Sequence, residues 1–349
     1  MPKRILIAPL DWGLGHATRC IPIIRYLMQR GHEPVLCAEG RIADLLRAEF
    51  PELPMQHLEG YRITYPRGVG MVWKMAVTIP HILRCIAREE RELRRLAKEW
   101  KADAVISDNR FGFHHPEVPS AYITHQVMIK APMAEPVLYA MHRRHMERFH
   151  RTWVPDVADA PGLSGDLGHR FALPRNGRYL GPLTRFSGNM PKGGGGLVAV
   201  ISGPEPQRTL FEENVRAQLR TWQGPATVVC GRPDLHTDEL TAQGHRIVSH
   251  LPSAELEAVM SGADVVLSRS GYSTVMDLAV TGRKAIFVPT LGQTEQEYLA
   301  QLYHQRGLHL HVPQRQFDLH AAMAQVGRFR GFGAVRADLF HAAVDELVG

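Results

Sequence analysis

Three short stretches carry residue types and spacings that could do chemistry. In the first, Gly13-Leu14-Gly15-His16 joins a strand-like run to a helix-like one. Glycines there permit a tight turn and let a ligand approach the backbone. His16 would fall in the first helical turn, where the positive dipole end disfavours imidazolium and keeps a neutral ring able to accept a proton. That suits a general base, although a histidine that only caps or packs at a helix start looks the same in sequence. Asp108 ends a strand-like run whose loop should open on the same cleft. It could orient the imidazole as a carboxylate orients the base of a triad, or bind an acceptor hydroxyl. An Asx-turn role for Asp108, and competition from Asp11 for the place beside His16, stay open.

The second stretch is Ser202-Gly203-Pro204-Glu205-Pro206-Gln207-Arg208. Its Ser/Gly backbone and Arg208 could hold a phosphate, or the segment could be a proline-stiffened turn with a helix start. The third runs from Ala263 to Leu299. A buried-type strand, Val265 to Ser268, turns through Arg269-Ser270-Gly271 into a helix that stops at Thr281-Gly282. A strand, glycine turn and helix in that order aim backbone N–H groups and a positive dipole end at one spot, which suits a diphosphate. A further strand, Ala285 to Val288, leads to the polar run Gly292-Gln293-Thr294-Glu295-Gln296-Glu297. The nineteen histidines form no metal-ligand pattern, and no Asp-x-Asp pair of the kind that holds a divalent ion on a nucleotide sugar is present. No metal is implied.

The elements that must position these residues alternate. Strand Arg4 to Ala8 leads into a helix whose Ile21, Ile24, Leu27 and Met28 share one face, with Gly31 as its cap. Strand Pro34 to Ala38, helix Arg41 to Phe50 and a long helix from Val72 to Trp100, broken or bent near Pro80, follow. Strands Ala104 to Ser107 and Ala121 to Thr124 complete the first series. Thr184 to Gly196 reads as a flexible linker with four consecutive glycines. The second series comprises strand Leu197 to Ile201, helix Gln207 to Trp222, strands Thr227 to Cys230 and Arg246 to Val248, helix Ala254 to Ser261 and the third chemical stretch. A last amphipathic helix covers Arg336 to Val348. The expectation is an α/β protein of two Rossmann-like domains facing across a cleft, with ligand loops at the carboxyl ends of mostly parallel strands. Residues 1–184 form the first domain, 185–196 the linker, 197–335 the second domain and 336–349 a C-terminal helix that could return to the first.

Length and composition agree. The chain of 349 residues suits two domains, and 44% hydrophobic with 22% charged residues is a globular balance. No apolar run is long enough to cross a bilayer. The basic N-terminus reads as a strand and not a signal peptide, since its apolar part stops at Asp11. Cys20, Cys37, Cys85 and Cys230 lack paired spacing, so a reducing cytoplasm is expected. A net charge of +6 suits nucleic acid, an anionic membrane or phosphorylated substrates. Basic residues interleaved with aromatics, zinc-finger spacing and RNP-like segments are all missing, which argues against nucleic acid. Gln126 to Trp153 has five Lys/Arg against two Glu. It could lie against an anionic membrane, at the inner face, or a polyprenyl-phosphate acceptor; a core-packed helix with a solvated basic face fits it better.

The Ala263–Leu299 stretch closely resembles the donor half of the GT-B glycosyltransferases, in particular the peptidoglycan UDP-GlcNAc transferases and the UDP-glycosyltransferases. The matching residues are Ala263-Asp264-Val265-Val266, Arg269-Ser270-Gly271, Thr274-Val275-x-Asp277, Phe287-Val288-Pro289 and Gln296-Glu297-Tyr298. Gly13-x-Gly15-His16 matches the acceptor-side loop of the same superfamily. The resemblance implies that Ser270, Gly271 and Ser273 meet a diphosphate and that Asp277, where the family has Glu, meets the ribose. It implies further that Gln296 and Glu297, where the family has two glutamines, reach the donor sugar, and that His250-Leu251 lies at the nucleobase. Arg269, Thr274 and Gln293 belong to the same donor-side set, with Ser202-Gly203-Pro204-Glu205-Pro206 replacing the family's Gly-rich diphosphate loop, and Ser202, Gly203 and Arg208 are counted with the donor side. The implied activity is a metal-independent, inverting transfer of a hexose such as GlcNAc from a UDP-sugar co-substrate. His16 serves as base, and the acceptor hydroxyl lies on a glycan, lipid or small molecule. A nucleotide-sugar hydrolase or epimerase on the same scaffold, and a non-catalytic nucleotide-sugar-binding subunit, are the alternatives.

Overall fold

The computed structural model describes residues 1–61, 71–130, 135–189, 195–333 and 335–349, with the backbone alone over 71–79. The glycine and proline stretch at 62–70 and the middle of the expected linker, 190–194, lie outside the described residues. In chain order the elements begin with β1 (Arg4–Pro9), α1 (Leu14–Gln29), β2 (Glu33–Ala38), α2 (Gly40–Glu49), β3 (Met55–His57) and α3 (Met71–Trp100). They continue with β4 (Ala104–Asp108), β5 (Ser120–Ile123), α4 (Glu135–Met146), β6 (Arg151–Val154), α5 (Asp166–His169) and β7 (Gly177–Tyr179). Next come β8 (Leu197–Val200), α6 (Gln207–Leu219), β9 (Ala226–Val229), β10 (Asp238–Leu240), β11 (Arg246–Val248), α7 (Ser253–Gly262) and β12 (Val265–Ser268). The chain ends with α8 (Tyr272–Thr281), β13 (Ala285–Phe287), α9 (Thr294–Gln305), β14 (Leu310–His311), α10 (Leu319–Val326) and α11 (His341–Val348).

Two compact units result. The first holds Met1–Pro155, Phe171–Leu180 and Phe340–Gly349; the second holds Asp156–Arg170 and Gly181–Leu339. In the first, seven strands form one sheet in the order β3-β2-β1-β4-β5-β6-β7, every pair parallel. Its central strands, Ile5-Leu6-Ile7-Ala8 and Ala104-Val105-Ile106, are wholly buried, as an unbroken apolar run in a parallel sheet covered on both faces must be. In the second, the order is β10-β11-β9-β8-β12-β13-β14, parallel except for the β10–β11 pair. Its core joins Leu197, Ala199, Phe211, Val215, Val228, Leu267, Ile286 and Leu319. Both sheets are of Rossmann type: the strand order reverses beside the first strand of each, between β1 and β4 and again between β8 and β12.

Three local outcomes differ from the sequence expectation. Helix α3 runs on through Pro80, whose carbonyl accepts from Arg84 Nε at 3.2 Å. A buried stripe including Cys85, Ile86, Glu89, Leu93 and Leu96 anchors its C-terminal part. The last helix starts at His341 and not at Arg336. Arg336 instead pairs with Asp338, at 3.0 and 2.8 Å, a spacing of two residues that cannot meet on a helix. Helix α11 belongs to the first unit, where Tyr26 stacks on His341 at 4.0 Å and its hydroxyl donates to Asp345 at 2.7 Å. The segment Asp156–Arg170, expected in the first domain, belongs to the second unit. Asp156 accepts from Val157 N, Leu163 N and Ser164 N, and α9 holds the segment through Tyr298, which accepts from Asp166 N at 2.7 Å, and Arg306, which donates to Gly162 O at 3.1 Å.

Candidate active site

Most of the singled-out residues of each unit follow the carboxyl ends of its strands. In the first unit β1 pairs with β4 in a register that sets Pro9 opposite Asp108. Leu10 N donates to Asp108 O at 3.0 Å, so the two strands part immediately beyond this pair. Helix α1 begins at Leu14, which puts Gly15 and His16 in its first turn, and Gly13 caps it without a side chain. A Cβ on Gly13 would meet nothing within 4 Å, so the glycine faces open space.

His16 Nδ1 lies 2.9 Å from Asp108 Oδ1. Of the two candidate partners, Asp108 is therefore the one at the imidazole; Asp11 accepts from Tyr61 N at 3.1 Å instead. Asp108 is fully buried, whereas the His16 side chain keeps 14% of its surface exposed. The sequence reading missed Arg19, one helical turn beyond His16 and nearly buried. Its Nε donates to Asp108 Oδ2 at 2.9 Å and its Nη2 to Asp108 Oδ1 at 2.6 Å. Nη1 lies 3.1 Å from Nδ1 of buried His125, at the end of β5. The signal that could have exposed Arg19 is its spacing: residues three apart share a helix face, so an arginine there belongs with His16. Burial alone would push the Asp108 carboxyl up, but Arg19 and His16 outweigh it and hold the group down at about 2. Burial lowers His16 below the ordinary imidazole range; Asp108 opposes this while Arg19 adds to it. Glu89 and Arg110, paired at 2.5 Å and fully buried, tie the adjoining loops together, with the Tyr61 hydroxyl donating to Glu89 at 2.6 Å and Arg110 to Pro9 O at 3.3 Å.

In the second unit, Ser202 and Gly203 follow β8, His250 and Leu251 follow β11, Arg269 to Gly271 follow β12, and Gln293 follows β13 at the cap of α9. Gly203 has φ 118, a conformation a side chain would strain. Gly271 caps α8 with φ −68, and a Cβ there would meet nothing within 4 Å. The first turn of α8, with Ser273 and Thr274, thus begins at an open position. Ser270 Oγ donates to Gln296 O at 2.7 Å. Gln296 accepts from Thr290 N at 2.9 Å and donates to Gln293 at 2.5 Å, while Glu297 accepts from Gly292 N at 2.9 Å. These side chains brace the loop between β13 and α9. Thr290 was missed: its hydroxyl is buried without a partner among the described residues, and its Oγ1 lies 3.8 Å from where a Gly203 Cβ would be.

Among the expected donor-side residues, Arg208, Leu251 and Asp277 are buried. Arg208 is buried and spends its guanidinium on Glu205 at 2.6 Å, Glu212 at 2.7 Å, the Thr209 hydroxyl at 2.7 Å and Cys230 O at 3.2 Å. Glu205, just before α6, and Glu212, within it, pair with its charge, and these bonds brace the loop. Leu251 is buried, and His250 before it is half-buried. Asp277 sits on α8 with its Oδ1 accepting from the Thr184 hydroxyl at 2.5 Å, and burial lifts its carboxyl to about 6. Arg269 is a buried cation with no carboxylate beside it among the described residues. It lies 4.1 Å over the Phe211 ring and donates to Val288 O, Gln314 and Gln207 O at 2.8, 2.9 and 3.1 Å. Burial depresses it only to about 10, so it stays charged near neutrality. The described residues hold no group of three His, Cys, Asp or Glu arranged around a metal, and no helix long and apolar enough to cross a membrane.

Comparison with known proteins defines the class. Residues 209–329 match the glycosyltransferase family 28 C-terminal domain. The fold is that of solved GT-B enzymes: the glycotransferase of kitacinnamycin (TM-score 0.62, 15% identity, 100% of this chain and 95% of that one) and the spinosyn rhamnosyltransferase SpnG with thymidine diphosphate (0.61, 16%, 99% and 95%). The chain is a glycosyltransferase of GT-B architecture. It is 26% identical over 318 residues, 86% of this chain and 81% of the relative, to the UDP-N-acetylglucosamine–N-acetylmuramyl-(pentapeptide) pyrophosphoryl-undecaprenol N-acetylglucosamine transferase of Pasteurella multocida. The MurG structure from Acinetobacter baumannii shares the fold across 99% of both chains (TM-score 0.57, 15% identity).

Proposed function

We propose that the protein transfers a hexose, GlcNAc or a close relative, from a UDP-sugar to an acceptor hydroxyl with inversion at the anomeric carbon. The observation that carries the chemistry is the 2.9 Å contact between His16 Nδ1 and the buried Asp108. With Nδ1 turned to the carboxylate, Nε2 is the ring nitrogen that takes the acceptor's proton. The acceptor oxygen bonds to the anomeric carbon as the bond from that carbon to the diphosphate oxygen breaks, and UDP leaves with the electron pair. The amides at the start of α8 and the Ser202-Gly203 loop meet the departing negative charge, the task a metal performs elsewhere. Family resemblance and the P. multocida relative support uridine as the base and a lipid-linked or other glycan as acceptor class. Exposed Val137, Met141 and Arg144 on α4 support peripheral contact with an anionic membrane at its cytoplasmic face.

A thermal-shift panel of UDP-, GDP- and dTDP-sugars tests the reading, because a ligand that binds the native state raises its melting point by mass action. UDP-sugars are expected to raise it most. No response to any member would overturn the proposal, and rapid sugar release without an acceptor would replace transfer by hydrolysis.

A further inference from the structure

His16 is not held by Asp108 alone. Arg19 reaches both carboxylate oxygens through Nε and Nη2, and Nη2 also lies 2.7 Å from His16 Nδ1. A guanidinium only donates hydrogen bonds, so Nδ1 cannot give its proton to Asp108 and accept one from Arg19 at the same time. A protonated ring fares worse: it would set a second positive charge 2.7 Å from the first. Among the described residues, the charged or titratable groups facing the ring are Asp108 on β4, Arg19 on α1 and, beyond Arg19, His125 after β5. His125 Nδ1 faces the same donor, which puts the His125 proton on Nε2. The nearby Cys20 thiol and Tyr122 hydroxyl are both pushed up by burial and by Asp108, so they add no charge.

We propose that Arg19 is a positioning residue that clamps Asp108 and offsets its charge, so that His16 is held as a neutral imidazole ready to take a proton. A lone Asp–His pair would stabilise imidazolium and lose its base as the pH falls; the clamped pair keeps the orientation of the carboxylate without that consequence. This rests on His16 being the base, and the working pH range of transfer would follow from it.

The test is the titration of the His16 ring followed by NMR in the full-length protein, which needs neither donor nor acceptor. In Arg19→Gln the uncompensated Asp108 is expected to raise the His16 midpoint by about one pH unit or more, a tenfold change in proton affinity. Arg19→Lys, which restores the charge, brings it back toward the wild-type value. An unchanged midpoint in Arg19→Gln would overturn the inference. Should that variant fail to fold because it buries an unpaired carboxylate, the doubly neutral Arg19→Gln/Asp108→Asn removes the liability. Its midpoint is expected close to wild type, since a net-neutral pair has been replaced by a neutral pair, and a fall of about one unit or more would equally overturn the inference. The 15N shifts of the same ring separate the two readings. A proton found on Nε2 would remove His16 as base while the charge offset stands.

Discussion

The two strand-order reversals are the same backbone solution filled with opposite chemistry. Between β1 and β4 the sequence supplies ionisable side chains that pair with one another: His16, Asp108 and Arg19 within 2.6 to 2.9 Å. Between β8 and β12 it supplies glycines, hydroxyls and amides, and the buried Arg269 is held by carbonyl oxygens, a glutamine and an aromatic face. A proton acceptor has to be tuned, and tuning needs charges at close range in a dry setting. A diphosphate already carries its charge, so it needs donors, room and a fixed positive end, none of which titrates.

That contrast can be broken at either end. The largest effect is expected at His16: His16→Ala should lower turnover about 10²- to 10⁴-fold while leaving the melting-point rise caused by nucleotide unchanged. Equal loss of both would merge the two roles. The converse variant is Gly271→Val, whose backbone at φ −68 and ψ 141 accepts a branched residue and whose side chain would enter open space. Calorimetric titration should show nucleotide binding weakened about tenfold or more, with about 1 kcal/mol or less lost from the free protein. Undiminished binding would move the diphosphate away from α8.

Asp277 offers a pH test confined to the second unit. Its carboxyl, lifted from 3.8 to about 6, favours the folded state fully below the unfolded value, and that advantage is lost as the pH rises through about 6. The difference is on the order of 3 kcal/mol, so Asp277→Asn should flatten the gain in denaturant stability between pH 6 and 4. The smallest effect is expected at Arg208. Arg208→Gln should cost about 1 to 3 kcal/mol of stability by removing the ion pairs to Glu205 and Glu212, of which Glu212 keeps Arg216 at 2.8 Å, with no change in nucleotide affinity. A tenfold weaker nucleotide would restore Arg208 to the phosphate.

Much of the second unit could be read in advance because its signals are local. Val265–Ser268 as a strand, Gly282 as the left-handed end of α8 with φ 66, and the glycine turn between them follow from apolar runs and from what glycine alone tolerates. His16 and Asp108 could each be singled out from their neighbours. Their pairing over 92 residues could not, nor could the choice of Asp108 over Asp11. Arg208 shows the same limit: beside a glycine loop it reads as a phosphate candidate, and its pairing with Glu205 and Glu212 is visible only in the fold.

By itself the sequence determined the alternation of strands and helices, the parallel Rossmann-like sheets and the position of each candidate loop, because hydrophobic period, glycine and proline act over a few residues. Only the tertiary structure decided which charges meet. Strand register brought Asp108 to His16, burial made Arg19 its obligatory partner, and the same burial lifted Asp277 toward neutrality. Electrostatics in a dry interior depends on distance through space, and spacing along the chain does not carry that distance.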